Sequence, residues 1–267
     1  MKAMKIRMSL CAAVLLLCAC GPKLVIVHTN DTHSHFDPDF KQRGGIVERA
    51  AFIDSVRRAN GAGKVLLLHA GDWNQGTTYY SELGGSMEVD MVNALGYDAI
   101  ALGNHEFDNG IEDLCERVKN VRCPVLCANL DLSPFELGRY VRPYTVLRRG
   151  GMKIGVIGLE ATLQGCVSAP IASRIPQLDA VEVTNRWAKF LKEEERCDLV
   201  ILLSHQGYKE DQENAAAIRN VDLVIGGHSH TFVEDFVYVT DLDGRQVPVV
   251  TDGRWGLEMG VVKVYGK

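Results

Sequence analysis

Five of the eight histidines fall in short motifs, most of them punctuated by glycine, aspartate or asparagine. They read Asp31-Thr32-His33, Gly71-Asp72, Gly103-Asn104-His105-Glu106 with Asp108, then Ser204-His205 and Gly227-His228-Ser229-His230. Imidazole, carboxylate and amide oxygen together suit a pair of divalent transition metals. In extended chain, residues i and i+2 project to the same side, so Asp31 and His33 can share one ion, as can His228 and His230. The two oxygens of Asp72 can bridge ions roughly 3.5–4 Å apart. Asn104 adds a neutral oxygen. Two such ions against Asp31 and Asp72 leave about two positive charges in surplus, which would favour a phosphate and the charge that develops on it during reaction.

His105 and Asp108 have a different use. Three residues apart at a strand-to-helix junction, they can hydrogen-bond, with Asp108 fixing the imidazole tautomer and favouring its protonated form. A histidine held beside the metals, but not on them, can protonate a leaving oxygen.

These groups need a frame that gathers them. Each motif follows an apolar run that reads as a buried strand: Leu24–Val27, Val65–Leu68, Ala99–Leu102, Leu199–Leu203 and Leu223–Ile225. Ligand-type residues at successive strand ends come together along one edge of a sheet. Between them, Gly44–Asn60 has helical apolar spacing and stops at Asn60-Gly61. Ser86 is expected to cap a helix through Met87, Met91, Val92 and Leu95 that halts at Gly96. Asp179–Glu195 reads as an amphipathic helix with Val183, Trp187, Phe190 and Leu191 on one face. Gly150-Gly151 marks a hairpin between Tyr144–Arg148 and Lys153–Leu159, and Val247–Thr251 and Leu257–Tyr265 read as further antiparallel strands. The alternation predicts one α/β domain. His28 and His69 fit no ligand slot and read as core imidazoles at strand ends, with His35 at the mouth. Trp73, Tyr79 and Tyr80 read as packing or loop-anchoring residues.

At the start, Lys2, Lys5 and Arg7 precede Leu10–Leu17, an apolar stretch too short to span a bilayer. The ending Leu17-Cys18-Ala19-Cys20-Gly21 resembles the lipobox of bacterial lipoproteins, where cleavage precedes a cysteine that receives lipid. Residues 1–19 are therefore expected to be a signal peptide and residues 20–267 the mature chain. Cys20 would be lipidated and the protein held at the cell envelope, on its periplasmic or extracellular face. Removing the three basic residues of the signal leaves 26 Lys and Arg against 34 Asp and Glu, a net charge of −8. That balance argues against nucleic-acid polymers, whose binding rests on excess cations. It leaves a small anionic substrate open, since bound metals invert the local field. Beyond Cys20, the five cysteines Cys115, Cys123, Cys127, Cys166 and Cys197 read as small buried hydrophobes, and a Cys115–Cys123 bridge stays open because spacing does not decide it.

Taken in order, Asp31-x-His33, Gly71-Asp72, Gly103-Asn104-His105-Glu106, the lone His205 and Gly227-His228-x-His230 resemble the five blocks of the calcineurin-like metallophosphoesterases. The wording His28-Thr29-Asn30-Asp31-Thr32-His33, Gly71-Asp72-Trp73-Asn74-Gln75-Gly76 and Asn104-His105-Glu106-Phe107-Asp108 looks like the 5′-nucleotidase branch. The resemblance spans residues 24–265. It implies a four-layer α-β-β-α sandwich with two mixed sheets and two divalent ions of Zn, Mn, Fe, Co or Ni. It implies Asp31, His33, Asp72 and His230 on one ion, and Asp72, Asn104, His205 and His228 on the other. His105 with Asp108 would form the catalytic pair for hydrolysis of a small phosphate ester, most simply a nucleotide, by a metal-activated water. Cyclic 2′,3′-phosphodiesters and nucleotide sugars are the alternative substrates. Secreted members of that branch carry a C-terminal domain with stacking aromatics and phosphate-binding arginines, so a separately encoded domain of that type is the expected partner.

Two other readings bear weighing. A metal-dependent amidohydrolase barrel could use His33-Ser34-His35, but a (β/α)8 barrel needs about 250 residues of regular alternation. The Gly150-Gly151 hairpin and the β-rich end break that pattern. A surface lipoprotein that binds a nucleotide or partner without turnover could keep the same blocks, yet the intact His105/Asp108 pair speaks against a dead site.

Overall fold

A computed structural model describes residues 21–266. The signal-peptide segment and Cys20 lie outside the described residues. Twelve strands run in chain order as β1 (Leu24–Thr29), β2 (Val65–His69), β3 (Ala99–Ala101), β4 (Val125–Leu126), β5 (Val141–Arg142), β6 (Tyr144–Arg149), β7 (Met152–Glu160), β8 (Leu199–His205), β9 (Leu223–Ile225), β10 (Val237–Thr240), β11 (Gln246–Val250) and β12 (Gly260–Val264). The helices are α1 (Ile46–Asn60), α2 (Thr78–Leu83), α3 (Ser86–Leu95), α4 (Ile111–Val118), α5 (Ala169–Ala172), α6 (Ala180–Glu193) and α7 (Tyr208–Ala217).

The strands form two six-stranded mixed sheets, ordered β12-β1-β2-β3-β4-β5 and β10-β11-β9-β8-β7-β6. β1 to β5 run parallel, with β12 antiparallel at the edge beside β1. β11, β9, β8 and β7 run parallel between antiparallel edges β10 and β6. The expectation for Val247–Thr251 is thus half met, because β11 is antiparallel to β10 and parallel to β9.

Side-chain alternation builds the layers. Leu24, Ile26, Leu66, Leu68 and Leu126 face Ile154, Val156, Ile201, Leu203 and Ile225 in a core between the sheets. The other face of the first sheet, Val25, Val27, Leu67 and Ile100, packs on Ile53 of α1, Val89 and Val92 of α3, and Leu114 of α4. The other face of the second, Ile157, Val200, Leu202 and Val224, packs on Val183, Ala188 and Leu191 of α6 and Ala215 of α7. The result is the expected α-β-β-α sandwich. Both faces of the central strands are covered, so those strands are apolar without a break. Each such side chain, fully buried, contributes roughly 1.5–3 kcal/mol. Gly158 lets the sheets approach, since a Cβ there would overlap Leu126.

Other details correct the sequence reading. Ser86 does not cap α3. Gly85 holds the N-cap position in left-handed geometry, and the Ser86 hydroxyl donates to the Leu83 carbonyl (2.9 Å). α2, unmarked in the sequence, ends at Leu83, and the Gly84-Gly85 turn between the two helices takes the capping position. Asp179 does cap α6, accepting from Glu182 N–H (2.8 Å). Cys115 and Cys123 are free thiols, not a bridge. Cys115, Cys127 and Cys197 are buried as expected, Cys123 only partly, and Cys166 is exposed. Among the described residues no helix is long and apolar enough to cross a membrane.

Candidate metal centre

The C-terminal ends of both sheets' parallel strands point to one edge. The segments after β1, β2 and β3, the last residue of β8 and the segment after β9 deliver Asp31/His33, Asp72, Asn104, His205 and His228/His230 there. Ligand atoms of Asp31, His33 and His230 lie within 4.8 Å of one another, as do those of Asp72, His205 and His228. His33 Nε2 is 2.9 Å from His230 Nε2, and His230 Nε2 is 3.3 Å from Asp31 Oδ1. His205 Nε2 is 3.0 Å from Asp72 Oδ2, which is also 3.8 Å from His33 Nε2. Asp72 therefore touches both groups. His228 Nδ1 lies 2.9 Å from Asn104 Oδ1, which adds the amide to the second group.

His228 and His230 thus separate, one into each group, instead of sharing an ion as i and i+2 partners. The alternation argument fails because the backbone is not extended. Asp31, His33, Asp72, His228 and His230 all have φ between 46° and 71°. Left-handed non-glycine residues cost on the order of 1–3 kcal/mol each. Five of the seven expected ligands are held so, and the surroundings fix them. Asp31 N–H donates to Gly71 O and His33 N–H to Asp72 O, both at 3.0 Å. His228 N–H donates to Asp31 Oδ2 (2.9 Å).

The donor set fits divalent cations. The Asn74 carbonyl accepts from His33 Nδ1 (3.2 Å) and the Ala70 carbonyl from His205 Nδ1 (2.6 Å). Those bonds put the protons on Nδ1 and leave each Nε2 lone pair facing carboxylate oxygens or another imidazole. Lone pairs that converge without a donor call for a cation, and backbone partners of this kind orient metal-bound histidines. Burial holds His33 and His228 below the ordinary imidazole range, in the neutral form a metal requires. At His205 burial acts the same way, but Asp72 and Asp31 outweigh it and push the imidazole well above that range. The carboxylates call for positive charge at that point.

His105 stands beside both groups, its N–H donating to Asp72 Oδ1 (3.0 Å) and its ring centroid 5.3 Å from that of His33. Its Nδ1 is 2.9 Å from Asp108 Oδ2. That hydrogen bond, outweighing burial, raises the His105 pKa.

The calcineurin-like phosphoesterase family model matches residues 24–232. The chain belongs to that family. It is 34% identical to a snake venom 5′-nucleotidase of Naja atra over 269 residues, covering 91% of this chain and 50% of that protein. It is 33% identical to a 5′-nucleotidase of Homo sapiens, covering 94% and 48%. Among solved structures, a 5′-nucleotidase precursor from Thermus thermophilus superposes with TM-score 0.82 at 32% identity, over 89% of this chain and 50% of that one. The chain spans about half the length of the curated relatives it matches.

Around these ligand groups sit residues whose roles the sequence did not reveal. Glu106 is fully buried, and its carboxylate accepts from the backbone N–H of Gly103 (2.5 Å), Asp72 (3.0 Å), Trp73 (3.1 Å) and Asn74 (3.1 Å). It pins the Asp72 turn to the Asn104 turn. Gly103 must be glycine, because a Cβ would strike Asp72. The spacing Gly-x-x-Glu, half of a capping box, was the available signal. Asn30 Nδ2 donates to Asp31 Oδ2 (2.6 Å) and Gly253 O (2.8 Å), aiming that carboxylate. His28 and His69 are buried as expected, His28 pairing with Asp252 (2.6 Å). Trp73 and Tyr80 are buried packing residues, and Tyr79 donates to Asp37 (2.9 Å).

Proposed function

We propose that this chain hydrolyses phosphate monoesters, nucleotides foremost, at the edge where the two sheets meet. The observation that carries the reading is the pair of ligand groups sharing Asp72, with the His105–Asp108 pair alongside. Asp31, His33, Asp72 and His230 would hold one divalent ion, and Asp72, Asn104, His205 and His228 the other. Two such ions polarise phosphoryl oxygens and supply a nucleophile from water at neutral pH. Asp72 keeps the two groups in one geometry, and Asn30 with the Ala70 and Asn74 carbonyls orients their donors. His105, its Nδ1 engaged by Asp108, turns Nε2 to the site and gives its proton to the departing ester oxygen. The similarity to 5′-nucleotidases at 32–34% identity supports nucleotides as the substrate class.

The test is a screen of the Mn²⁺-loaded protein on AMP, p-nitrophenyl phosphate, a 2′,3′-cyclic nucleotide and a nucleotide sugar. AMP and p-nitrophenyl phosphate should turn over. The relatives' extra length motivates a second arm, in which a separately supplied C-terminal-type nucleotidase domain lowers KM for AMP more than for p-nitrophenyl phosphate. Failure of every ester with two metals bound would overturn the reading in favour of a binding protein.

The lipid anchor on Cys20, and with it a place at the cell envelope, belongs to the same proposal and rests on the Leu-Cys-Ala-Cys sequence. Cys20→Ser should move the protein from the membrane to the soluble fraction or block its processing. An unmodified Cys20 in the intact mass of the native protein would refute it.

A further inference from the structure

The segment between β11 and β12 crosses from the second sheet to the first directly over the Asp31 turn. Trp255 N–H donates to the Asp31 carbonyl (2.6 Å), and Asp252 N–H to Asn30 Oδ1 (2.9 Å). The crossing delivers an exposed Arg254 to the mouth of the site, with Nη1 3.4 Å from His230 Nδ1. Its guanidinium carbon lies 4.1 Å from the centroid of the Trp255 ring. Trp255 in turn stacks on His35, centroids 4.4 Å apart and planes 14° from parallel. His35 is itself tied down: its Nδ1 bonds the His33 carbonyl (2.8 Å), and Arg49 donates to its own carbonyl (2.5 Å).

His230 points Nε2 inward, at His33 Nε2 and Asp31 Oδ1. The outer ring nitrogen, Nδ1, is the one polar atom among the described residues that meets the Arg254 guanidinium, and at 3.4 Å it is a long contact. Among the described residues Arg254 pairs with no carboxylate, so it is the Trp255 ring that holds it in place. A guanidinium with no carboxylate partner at the rim of a metal-ligand cluster has one natural partner, an anionic oxygen. The planar fork of arginine matches two oxygens of one phosphoryl group.

We propose that Arg254, mounted on Trp255, binds the non-bridging oxygens of the substrate's phosphoryl group and favours the dianionic monoester over the monoanionic diester. This rests on the phosphoester reading above, and it places a phosphate-binding arginine within this chain.

Arg254→Ala, Arg254→Lys and Trp255→Leu would be compared with the parent, all metal-loaded. The readouts are inorganic phosphate binding by calorimetry, metal content, and KM and kcat on p-nitrophenyl phosphate and bis(p-nitrophenyl) phosphate. Arg254→Ala should keep two metals, weaken phosphate binding and raise the monoester KM by roughly 10- to 100-fold, as for loss of a charge-assisted hydrogen bond. The diester KM should change by less than about threefold, since the diester carries one negative charge less for the guanidinium to meet. Lysine should restore part of the loss, and Trp255→Leu should cause a smaller one. Unchanged phosphate affinity in Arg254→Ala, or equal losses on monoester and diester, would overturn the proposal. If the parent binds phosphate through Arg254 but turns over no ester, the anion site stands and the hydrolytic reading falls.

Discussion

Asp72→Asn is expected to empty both metal positions and abolish measurable turnover. Asp72 Oδ2 lies 3.0 Å from His205 Nε2 and 3.8 Å from His33 Nε2, so one oxygen addresses both ligand groups. Oδ1 meanwhile accepts the His105 N–H (3.0 Å). Burial alone would raise this carboxyl, yet His205, His33 and His105 together hold it well below its usual range. It is an obligate anion. An amide would remove one of the two buried negative charges that face the ligand imidazoles and would turn an N–H group toward an imidazole lone pair. The fold should survive the change. Asn tolerates the left-handed backbone that Asp72 adopts at φ 55°, and the four N–H donors to Glu106 belong to the backbone. His230→Ala is the informative companion, because His230 belongs to the Asp31/His33 group alone and should cost one ion. Metal analysis showing two ions in Asp72→Asn would remove Asp72 from its bridging place.

How much of this was readable in the sequence follows from how local each feature is. Every strand that carries a motif announced itself by an unbroken apolar run. Such runs are forced on parallel strands covered on both faces, as Val25 and Ile26 in β1 or Val200 and Ile201 in β8 are. The residue types of the site were legible for the same reason: His, Asp and Asn after such runs have few other uses. What periodicity could not give was direction. The separation of His228 from His230 comes from left-handed dihedrals, set by long-range bonds such as His228 N–H to Asp31, 197 positions away in the chain. Arg254 and Trp255 carry no local signal, because nothing distinguishes Gly253-Arg254-Trp255 from an ordinary turn. Only the crossing between sheets brings them to His230. Glu106 lies within its motif, but its task is not local, since its four backbone partners lie on two separate loops. Short helices such as α2 and the polar α7 gave too little apolar spacing to be seen.

His105→Asn should keep both metals and slow phosphate-ester hydrolysis by roughly 10²–10⁴-fold, the range for loss of a positioned general acid. The size of the loss should depend on the leaving group. An alkoxide such as the ribose 5′-oxygen of AMP needs a proton as it departs, whereas p-nitrophenolate does not, so the deficit should be large for AMP and small for p-nitrophenyl phosphate. A pH profile separates this role from simple charge stabilisation. The acid must be protonated, and the Asp108 hydrogen bond raises the His105 pKa, so activity on AMP should hold at low pH and fall as pH rises through that raised value. Asp108→Asn removes the main cause of the shift and should move the falling limb to lower pH, with metal content unchanged. The pair is partly exposed, with side-chain exposures of 30% and 29%, so the proton can be replenished from solvent after each turnover. Equal losses on AMP and p-nitrophenyl phosphate, with a falling limb that Asp108→Asn leaves in place, would show that His105 steadies charge on the phosphoryl oxygens instead of donating a proton.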